Sequence, residues 1–207
     1  MRVSDSRKML FIHVQKTGGT SVDSMLDREL SDSRQLKGVI RHATLKMVLS
    51  AEPGLVDYWT FGFVRNPWAR MASWWAMSRS VLDRAAAGDP AAIKRISKNP
   101  VYWEPVSTYR TFDEFVEQGG RELPRLRRQQ IDFLQTDNRI ADFIGRQETF
   151  DLDLAAVRAR LGLKARRRAP KENATPHAHY RDFYSDASRE LVAHMFERDI
   201  TLFNYDF

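Results

Sequence analysis

The 207-residue sequence contains no cysteine, which excludes disulfide bonds and thiolate chemistry and fits a reducing cytoplasm. A metal site would therefore need His, Asp or Glu ligands, and we expect none. No apolar stretch approaches the roughly 18 to 20 residues that a membrane helix needs, and residues 1–8 are too polar to open a signal peptide. Internal repeats and low-complexity linkers are also missing. We expect a soluble, cytoplasmic protein with residues 1–207 in a single domain.

The sequence has more basic than acidic residues, with a formal net charge of +6. This excess favours an anionic partner, which charge alone leaves open: nucleic acid, a phosphorylated cofactor, an acidic glycan or a membrane surface. Two clusters carry much of the excess. They are Arg125, Arg127 and Arg128, and Lys164, Arg166, Arg167, Arg168 and Lys171. Each is more often a solvated face or loop than a binding site.

The first half of the chain alternates predicted strands with predicted helices. Residues 9–14 are almost continuously apolar, as in a strand buried on both faces, and the apolar stripe of Val22, Met25, Leu26 and Leu30 predicts a helix after it. A second unit follows, because 58–64 is strongly β-prone and Asn66-Pro67 is a typical helix start. The pattern predicts an α/β fold of the P-loop-like, three-layer kind, with a central, mostly parallel sheet flanked by helices.

Several shorter elements are predicted from local signals. A strand at 38–41 should precede a helix at 44–50, and Thr111 with Glu114 has the spacing of a capping box. Gly119-Gly120 should then stop that helix. The remaining predictions are a helix at 123–135, a strand at 140–144, a helix at 152–161 ending at Gly162, a long loop at 164–180 and a last helix at 186–198.

The glycine turn in MLFIHVQKTGGTSVDSML is suited to holding an anion. Gly18 and Gly19 allow close approach to the unpaired N–H groups of a helix start, and Lys16 adds a full charge. The alternative is a plain glycine turn with a solvated lysine. A nucleotide-kinase P-loop has its lysine after the glycines, whereas Lys16 precedes them, and the strand at 58–64 ends in Arg65 where an ATPase would place a metal-binding aspartate.

Two motifs together identify a resemblance. FIHVQKTGGTS and FGFVRNPWARMASWW are similar to the sulfotransferases that use 3′-phosphoadenosine 5′-phosphosulfate, above all the heparan sulfate 2-O-sulfotransferases and short bacterial relatives. RHATLKMVL, DFIGRQETFDLDL and the C-terminal NATPHAHYRDFYSDASRELVAHMFERDITLFNYDF extend the similarity over most of the chain. Gln15 departs from the pattern, because relatives usually have proline there.

The resemblance implies roles for particular residues. The 5′-phosphosulfate loop corresponds to Lys16, Thr17, Gly18, Gly19, Thr20 and Ser21. Arg65 and Ser73 correspond to the arginine and serine that hold the 3′-phosphate, and the segment from Asn173 to Thr175 should fold over the nucleotide, near Lys171 or Arg168. Lys16 would stabilise the charge that develops on the leaving phosphate.

The acceptor hydroxyl must lose a proton, and His42 resembles the family's catalytic base. His13, inside the first strand, is expected to be a packed histidine. His177, His179 and His194 receive no chemical role. Trp74, Trp75 and Trp103 are expected in the core, although Tyr102 and Trp103 could instead line an acceptor cleft.

The leading hypothesis is therefore a sulfotransferase that moves a sulfonate group onto a hydroxyl of a carbohydrate or similar small acceptor. Two alternatives stay open: an ATP-dependent small-molecule kinase, and a basic nucleic-acid-binding domain, for which no reading motif is found. The basic clusters leave peripheral membrane contact open. The acceptor and the oligomeric state have no readable signal in the sequence.

Overall fold

The computed structural model describes residues 1–164 and 179–207, within which four strands and eleven α-helices form an α/β fold. The strands are β1 (Arg2–Ser4), β2 (Met9–Ile12), β3 (Trp59–Val64) and β4 (Phe143–Arg146). The helices are α1 (Gly19–Glu29), α2 (Leu45–Ala51), α3 (Pro67–Ala86), α4 (Pro90–Ser97), α5 (Pro100–Thr108), α6 (Phe112–Glu122), α7 (Pro124–Arg127), α8 (Ile131–Leu134), α9 (Phe150–Arg160), α10 (Asp186–Met195) and α11 (Glu197–Phe203). Short 3₁₀ helices cover Pro53–Leu55 and Tyr180–Phe183.

The four strands form one sheet in the order β1-β2-β3-β4. β1 is antiparallel to β2, whereas β2, β3 and β4 are parallel, with Met9 opposite Trp59 and Phe61 opposite Phe143. The predicted α/β class with a mostly parallel sheet is confirmed. Because the carboxyl ends of the parallel strands meet at one edge, the segments that follow β2 and β3 begin at the same edge of the sheet.

The described residues divide into two compact units, and the sheet belongs to the first, 1–65 with 129–164. Both of its faces are covered by helices. On one face Phe61 and Phe63 pack with apolar residues of α1 and α9. On the other face Gly62 lies against Leu134 of α8, where an added Cβ would be 2.4 Å from the leucine side chain.

The second unit, 66–128 with 179–207, is helical and has its own aromatic core. Asn66 caps α3 by accepting hydrogen bonds from the N–H groups of Trp68 and Ala69. The core takes its large side chains from α3, α5, α6 and α10. They include Trp68, Trp74, Trp75, Tyr102, Trp103, Phe112, Phe115 and Val192. The prediction that 1–207 is a single domain stays a prediction.

Four local predictions are confirmed. Thr44 caps α2 by accepting from Met47 N–H, and Asn66-Pro67 begins α3. Thr111 and Glu114 form the expected capping box of α6. The apolar stripe that starts at Val22 is buried in α1.

The predicted strand at 38–41 is wrong. This segment lies in turns, and Gly38 has φ +74°, which interrupts an extended chain. Ile40, an apolar residue of this segment, is 64% exposed and lies outside the core. Short apolar runs are ambiguous because exposed apolar residues are common on protein surfaces.

The predicted helix stop at Gly119-Gly120 and the continuous helix at 123–135 are also wrong. Both glycines lie inside α6, where Gly120 leaves room for Met195 of α10. No continuous helix runs through 123–135, because Arg128 is extended at φ −70° and ψ 126° and ends the helix that begins at Pro124. The segment forms α7 and α8 instead.

Other boundaries differ by a few residues. The strand predicted at 140–144 is β4 at Phe143–Arg146, because the Asp142 carboxylate accepts from Thr60 N–H and takes the place of a ladder bond. The last predicted helix is two, α10 and α11. The loop prediction at 164–180 and the sites at Arg168, Lys171, Asn173, Thr175 and His177 fall largely or wholly outside the described residues. No helix in the described ranges has both the length and the apolar character needed to cross a bilayer.

Candidate active site

The loop between β2 and α1 is held in shape by its own backbone and one hydroxyl. Thr17 is buried, and its Oγ1 donates to the carbonyl of Val14 at 3.0 Å. Lys16 and Gly18 have left-handed backbones, with φ +68° and +82°. A lysine in this conformation is uncommon, so the loop is maintained at some conformational cost.

Both glycines of the loop are required by their surroundings. A Cβ on Gly18 would lie 3.0 Å from the Phe150 ring and would sit on a left-handed backbone. A Cβ on Gly19 would lie 2.2 Å from the His13 ring, far inside contact distance. Neither position can carry a side chain, and Gly18 itself is exposed.

The start of α1 has the properties of an anion cradle. Gly18 provides no side-chain cap, and the first turn of α1 contains no acidic residue. Ser21 N–H bonds back to the Gly18 carbonyl at 3.0 Å. The first N–H groups of α1 thus lie at the turn formed by Gly18 and Gly19, which have no Cβ atoms. Together with the helix dipole, these N–H groups suit a phosphate or sulfonate group.

His42 lies beside the end of β2, in the segment that precedes α2. Its Nδ1 is 3.0 Å from the backbone carbonyl oxygen of His13. Because a carbonyl oxygen can only accept, Nδ1 carries a proton, and in the neutral ring Nε2 therefore has the lone pair. The half-buried His42 ring is thus oriented with Nε2, its basic nitrogen, on the side away from the His13 carbonyl.

His13 is buried against the same loop, as expected for a packed histidine. Its ring is edge-on to the His42 ring, with centroids 4.6 Å apart, and its Nδ1 has no hydrogen-bond partner among the described residues. Burial, followed by the charge of His42, lowers the pKa of His13 to about 2. His13 is therefore a neutral group at physiological pH.

Arg41 is a further basic group at the loop, and sequence reasoning missed it. Its Nη2 donates to Thr20 Oγ1 at 3.4 Å, although the side chain is otherwise exposed. The available signal was its position directly before His42. Arg41 therefore places a second cation, in addition to Lys16, beside the loop that follows β2.

Arg65 directly follows β3, and its main chain is fixed by Gln130. The Gln130 amide accepts from Arg65 N–H at 2.9 Å and donates to the Arg65 carbonyl at 2.8 Å. Gln130 is fully buried, so this amide pair sets the point at which the strand ends. Sequence reasoning missed this role, because a glutamine between short helices gives no pattern.

Ser73 lies half-buried on α3, in the second unit, whereas Arg65 belongs to the first. The pairing of these two side chains around a 3′-phosphate stays a prediction. Trp74, Trp75 and Trp103 are core residues, as predicted. Tyr102 is buried with them, its hydroxyl 2.7 Å from Ser78 Oγ.

The other two histidines in the described part of the chain, His179 and His194, give no further candidate. His179 precedes the 3₁₀ helix at Tyr180–Phe183, and its ring packs on Tyr180 with centroids 4.8 Å apart. His194 is exposed on α10.

This chain has a mostly parallel sheet, and a glycine loop connects its first parallel strand, β2, to α1. These two features define the P-loop-like class of α/β proteins, which bind phosphate-type anions at this point of the fold. Within that class, the comparison with family models is specific. The model described as the sulfotransferase family matches residues 1–206, so the chain belongs to the sulfotransferase family and is a sulfonate-transferring enzyme. Members of this family generally take the sulfonate from 3′-phosphoadenosine 5′-phosphosulfate.

The other comparisons add no relative. No curated protein and no solved structure matches the chain significantly.

Proposed function

We propose that this enzyme transfers the sulfonate of 3′-phosphoadenosine 5′-phosphosulfate to a hydroxyl of a carbohydrate acceptor, with His42 as the general base. The observation that carries the proposal is the hydrogen bond from His42 Nδ1 to the His13 carbonyl at 3.0 Å. It leaves Nε2 as the basic atom, beside the loop that follows β2.

The loop residues have separate tasks in this proposal. The N–H groups at Gly19 and Thr20 bind the 5′ end of the nucleotide, with help from the hydroxyls of Thr20 and Ser21. Thr17 already donates its hydroxyl proton to Val14, so its side chain shapes the loop and its N–H is the remaining donor. Lys16 balances the negative charge on the departing phosphate.

When bound, the donor supplies a sulfonate that passes to the acceptor oxygen as its S–O bond to the 5′-phosphate breaks. His42 Nε2 accepts the proton that the acceptor hydroxyl loses, and the Nδ1 bond keeps the resulting imidazolium oriented. Arg41 would add positive charge beside Thr20 of the loop that binds the donor.

The proposed nucleotide specificity rests on Arg65, which the resemblance pairs with Ser73, whereas Asn173 and Thr175 lie outside the described residues. An arginine fork fits a phosphate monoester well, and the Gln130 clamp fixes the main chain from which Arg65 extends. Arg65 also stands where an ATP enzyme would need a metal-binding carboxylate. This favours the 3′-phosphorylated nucleotide over ATP with Mg²⁺.

Thermal unfolding with added nucleotide tests the proposal. A ligand at about 100 times its Kd should stabilise by about 2.7 kcal/mol, a rise in Tm of roughly 5 to 10 °C. We expect this with 3′-phosphoadenosine 5′-phosphate, and not with ATP and Mg²⁺. Arg65→Ala should lose the rise, whereas Arg121→Ala, which removes an exposed arginine of α6, should keep it. A rise with ATP and Mg²⁺ alone would instead support a kinase.

A further inference from the structure

A second cluster of cations lies at the opposite edge of the sheet from the glycine loop. Lys8 directly precedes β2, and Tyr58 directly precedes β3, so both stand at the amino ends of parallel strands. Lys16 and Arg65 follow the carboxyl ends of the same two strands. The two regions are separated by the length of the strands, and a single small ligand cannot bridge them.

This edge contains an open cavity of about 360 Å³ within the first unit. Its lining is mainly charged and aromatic, and it consists of Arg7, Lys8, Val56, Asp57, Tyr58, Trp59, Arg139, Asp142 and Arg160. The volume lies at the small end of the range for ligand sites, about 300 to 1,000 Å³, and suits a ligand of sugar size.

One of the four cations in the lining is already neutralised. Arg139 Nη2 is 2.9 Å from the Asp142 carboxylate, which also accepts from Thr60 N–H. Arg139 Nη2 also lies 3.3 Å from Thr60 Oγ1. The Arg139–Asp142 ion pair therefore forms part of the cavity wall.

The other three cations form no ion pair with any residue in 1–164 or 179–207. Lys8 Nζ lies over the Tyr58 ring, 5.0 Å from its centroid, and the Arg160 guanidinium lies over Trp59 at 5.5 Å. Arg7 approaches the turn at Gly162, where its Nη1 would be 3.4 Å from an added Cβ. Besides the Arg139–Asp142 pair, the lining thus has three cations and one carboxylate, Asp57, and a bound anion would relieve the repulsion among the cations.

Lys8 occupies its place at a conformational cost. Its φ is +46°, in the turn between β1 and β2 that the Lys8 N–H to Asp5 carbonyl bond closes. Glycine or asparagine would suit this backbone better than lysine. The charge of Lys8 therefore stands where the turn alone would favour another residue.

We propose that this cavity is a second ligand site, which binds a tetrahedral oxyanion through Lys8, Arg160 and Arg7. The oxyanion is either a free sulfate or phosphate ion or the ester group of a sugar. In the second case the sugar ring lies against the half-exposed Trp59. Binding here is independent of sulfonate transfer at the glycine loop.

The test is direct binding to the full chain in the Lys16→Ala background, which weakens anion binding at the loop. Inorganic sulfate, inorganic phosphate, glucose 6-sulfate, glucose 6-phosphate and uncharged glucose are titrated, and amide and indole N–H shifts are followed by NMR. We expect saturable shifts at Lys8, Tyr58 and Trp59 with the anions and none with glucose. Tighter binding of the esters indicates a sugar ligand, and equal binding indicates the free ion.

Two variants remove one cation each without disturbing the turn. Lys8→Gly suits the positive φ, so it should keep or raise Tm while weakening binding about tenfold. Arg160→Gln should weaken binding by a similar factor. Arg121→Gln removes an equal charge from the exposed face of α6 and should leave affinity unchanged. Unchanged affinity in both cavity variants, shifts confined to residues 13–21, or equal binding of glucose would overturn the proposal.

Discussion

The side chain of His42 donates a hydrogen bond to the main chain of His13, with Nδ1 and the carbonyl oxygen 3.0 Å apart, while the two rings meet edge-on at 4.6 Å. The backbone carbonyl of His13 thus fixes the tautomer of His42, and the His13 ring packs against the His42 ring. Since His13 follows β2 and leads into the glycine loop, the orientation of His42 is tied to the element that carries Lys16.

The first prediction concerns the base itself. His42→Ala should lower kcat for sulfonate transfer by about 10² to 10⁴, the usual contribution of a general base, with little change in the Kd for 3′-phosphoadenosine 5′-phosphate. His42→Asn is the matched variant, because its amide N–H can still donate to the His13 carbonyl although it has no basic nitrogen. Formation of the nucleotide product in the presence of a glycan panel measures kcat for both variants. If His42→Asn retained full kcat, His42 would be a structural residue.

The second prediction concerns Gly19. Because an added Cβ would lie 2.2 Å from the His13 ring, Gly19→Ala should force the ring or the loop to move, at a cost of about 1 to 3 kcal/mol in the free energy of unfolding. Nucleotide binding should fall with it. Gly54→Ala is the control, since nothing lies within 4 Å of its added Cβ and its φ is ordinary. Equal Tm values for the two variants would show that the His13 ring can move aside at little cost in stability.

The third prediction concerns pH. The pKa of His13 is about 2 in the folded chain, against 6.5 in the unfolded chain, so between these values the unfolded state binds more protons. Stability is therefore fully present above pH 6.5 and falls as pH decreases, by up to about 1.4 kcal/mol per unit for this one group. Urea unfolding at pH 7, 6 and 5 gives the slope.

Replacing the titrating group should change that slope. His13→Gln, which cannot be protonated in this range, should show a shallower decrease of the unfolding free energy from pH 7 to 5. His194→Gln removes an exposed histidine of α10 and should leave the slope as it is. If both variants kept the parental slope, other groups would control the acid sensitivity.

The sequence predicted those parts of the fold that depend on local chemistry. Residues 58–64 read as a strand because of their β-prone side chains, and Asn66-Pro67 marked the start of α3 because capping is a short-range interaction. The glycine loop was found for the same reason. Its anion-binding geometry follows from a strand, two glycines and a helix start, all adjacent in the chain.

The parts that could not be predicted depend on contacts between distant residues. Gly120 looks like a helix stop until Met195, 75 positions later, is seen to need the space. Gln130 clamps Arg65, and Asp142 replaces a ladder bond at Thr60, through side chains that carry no pattern of their own. In the site, Arg41 at the end of the turn at 38–41 reaches Thr20, 21 positions earlier in the chain.

The last prediction concerns the support of α1, the helix whose start forms the cradle. Arg158 of α9 makes two hydrogen bonds to the Glu29 carboxylate, at 2.8 and 2.6 Å, and both side chains are largely buried. Removing one partner leaves a buried charge, so Glu29→Ala should lower the free energy of unfolding by about 3 to 5 kcal/mol. The exposed pair Arg79 and Asp83 on α3 is the control, and Asp83→Ala should cost less than about 1 kcal/mol. Urea unfolding of both variants measures the difference. Similar losses in the two would mean that water reaches Arg158 and screens it, and α1 would then depend on its apolar stripe alone.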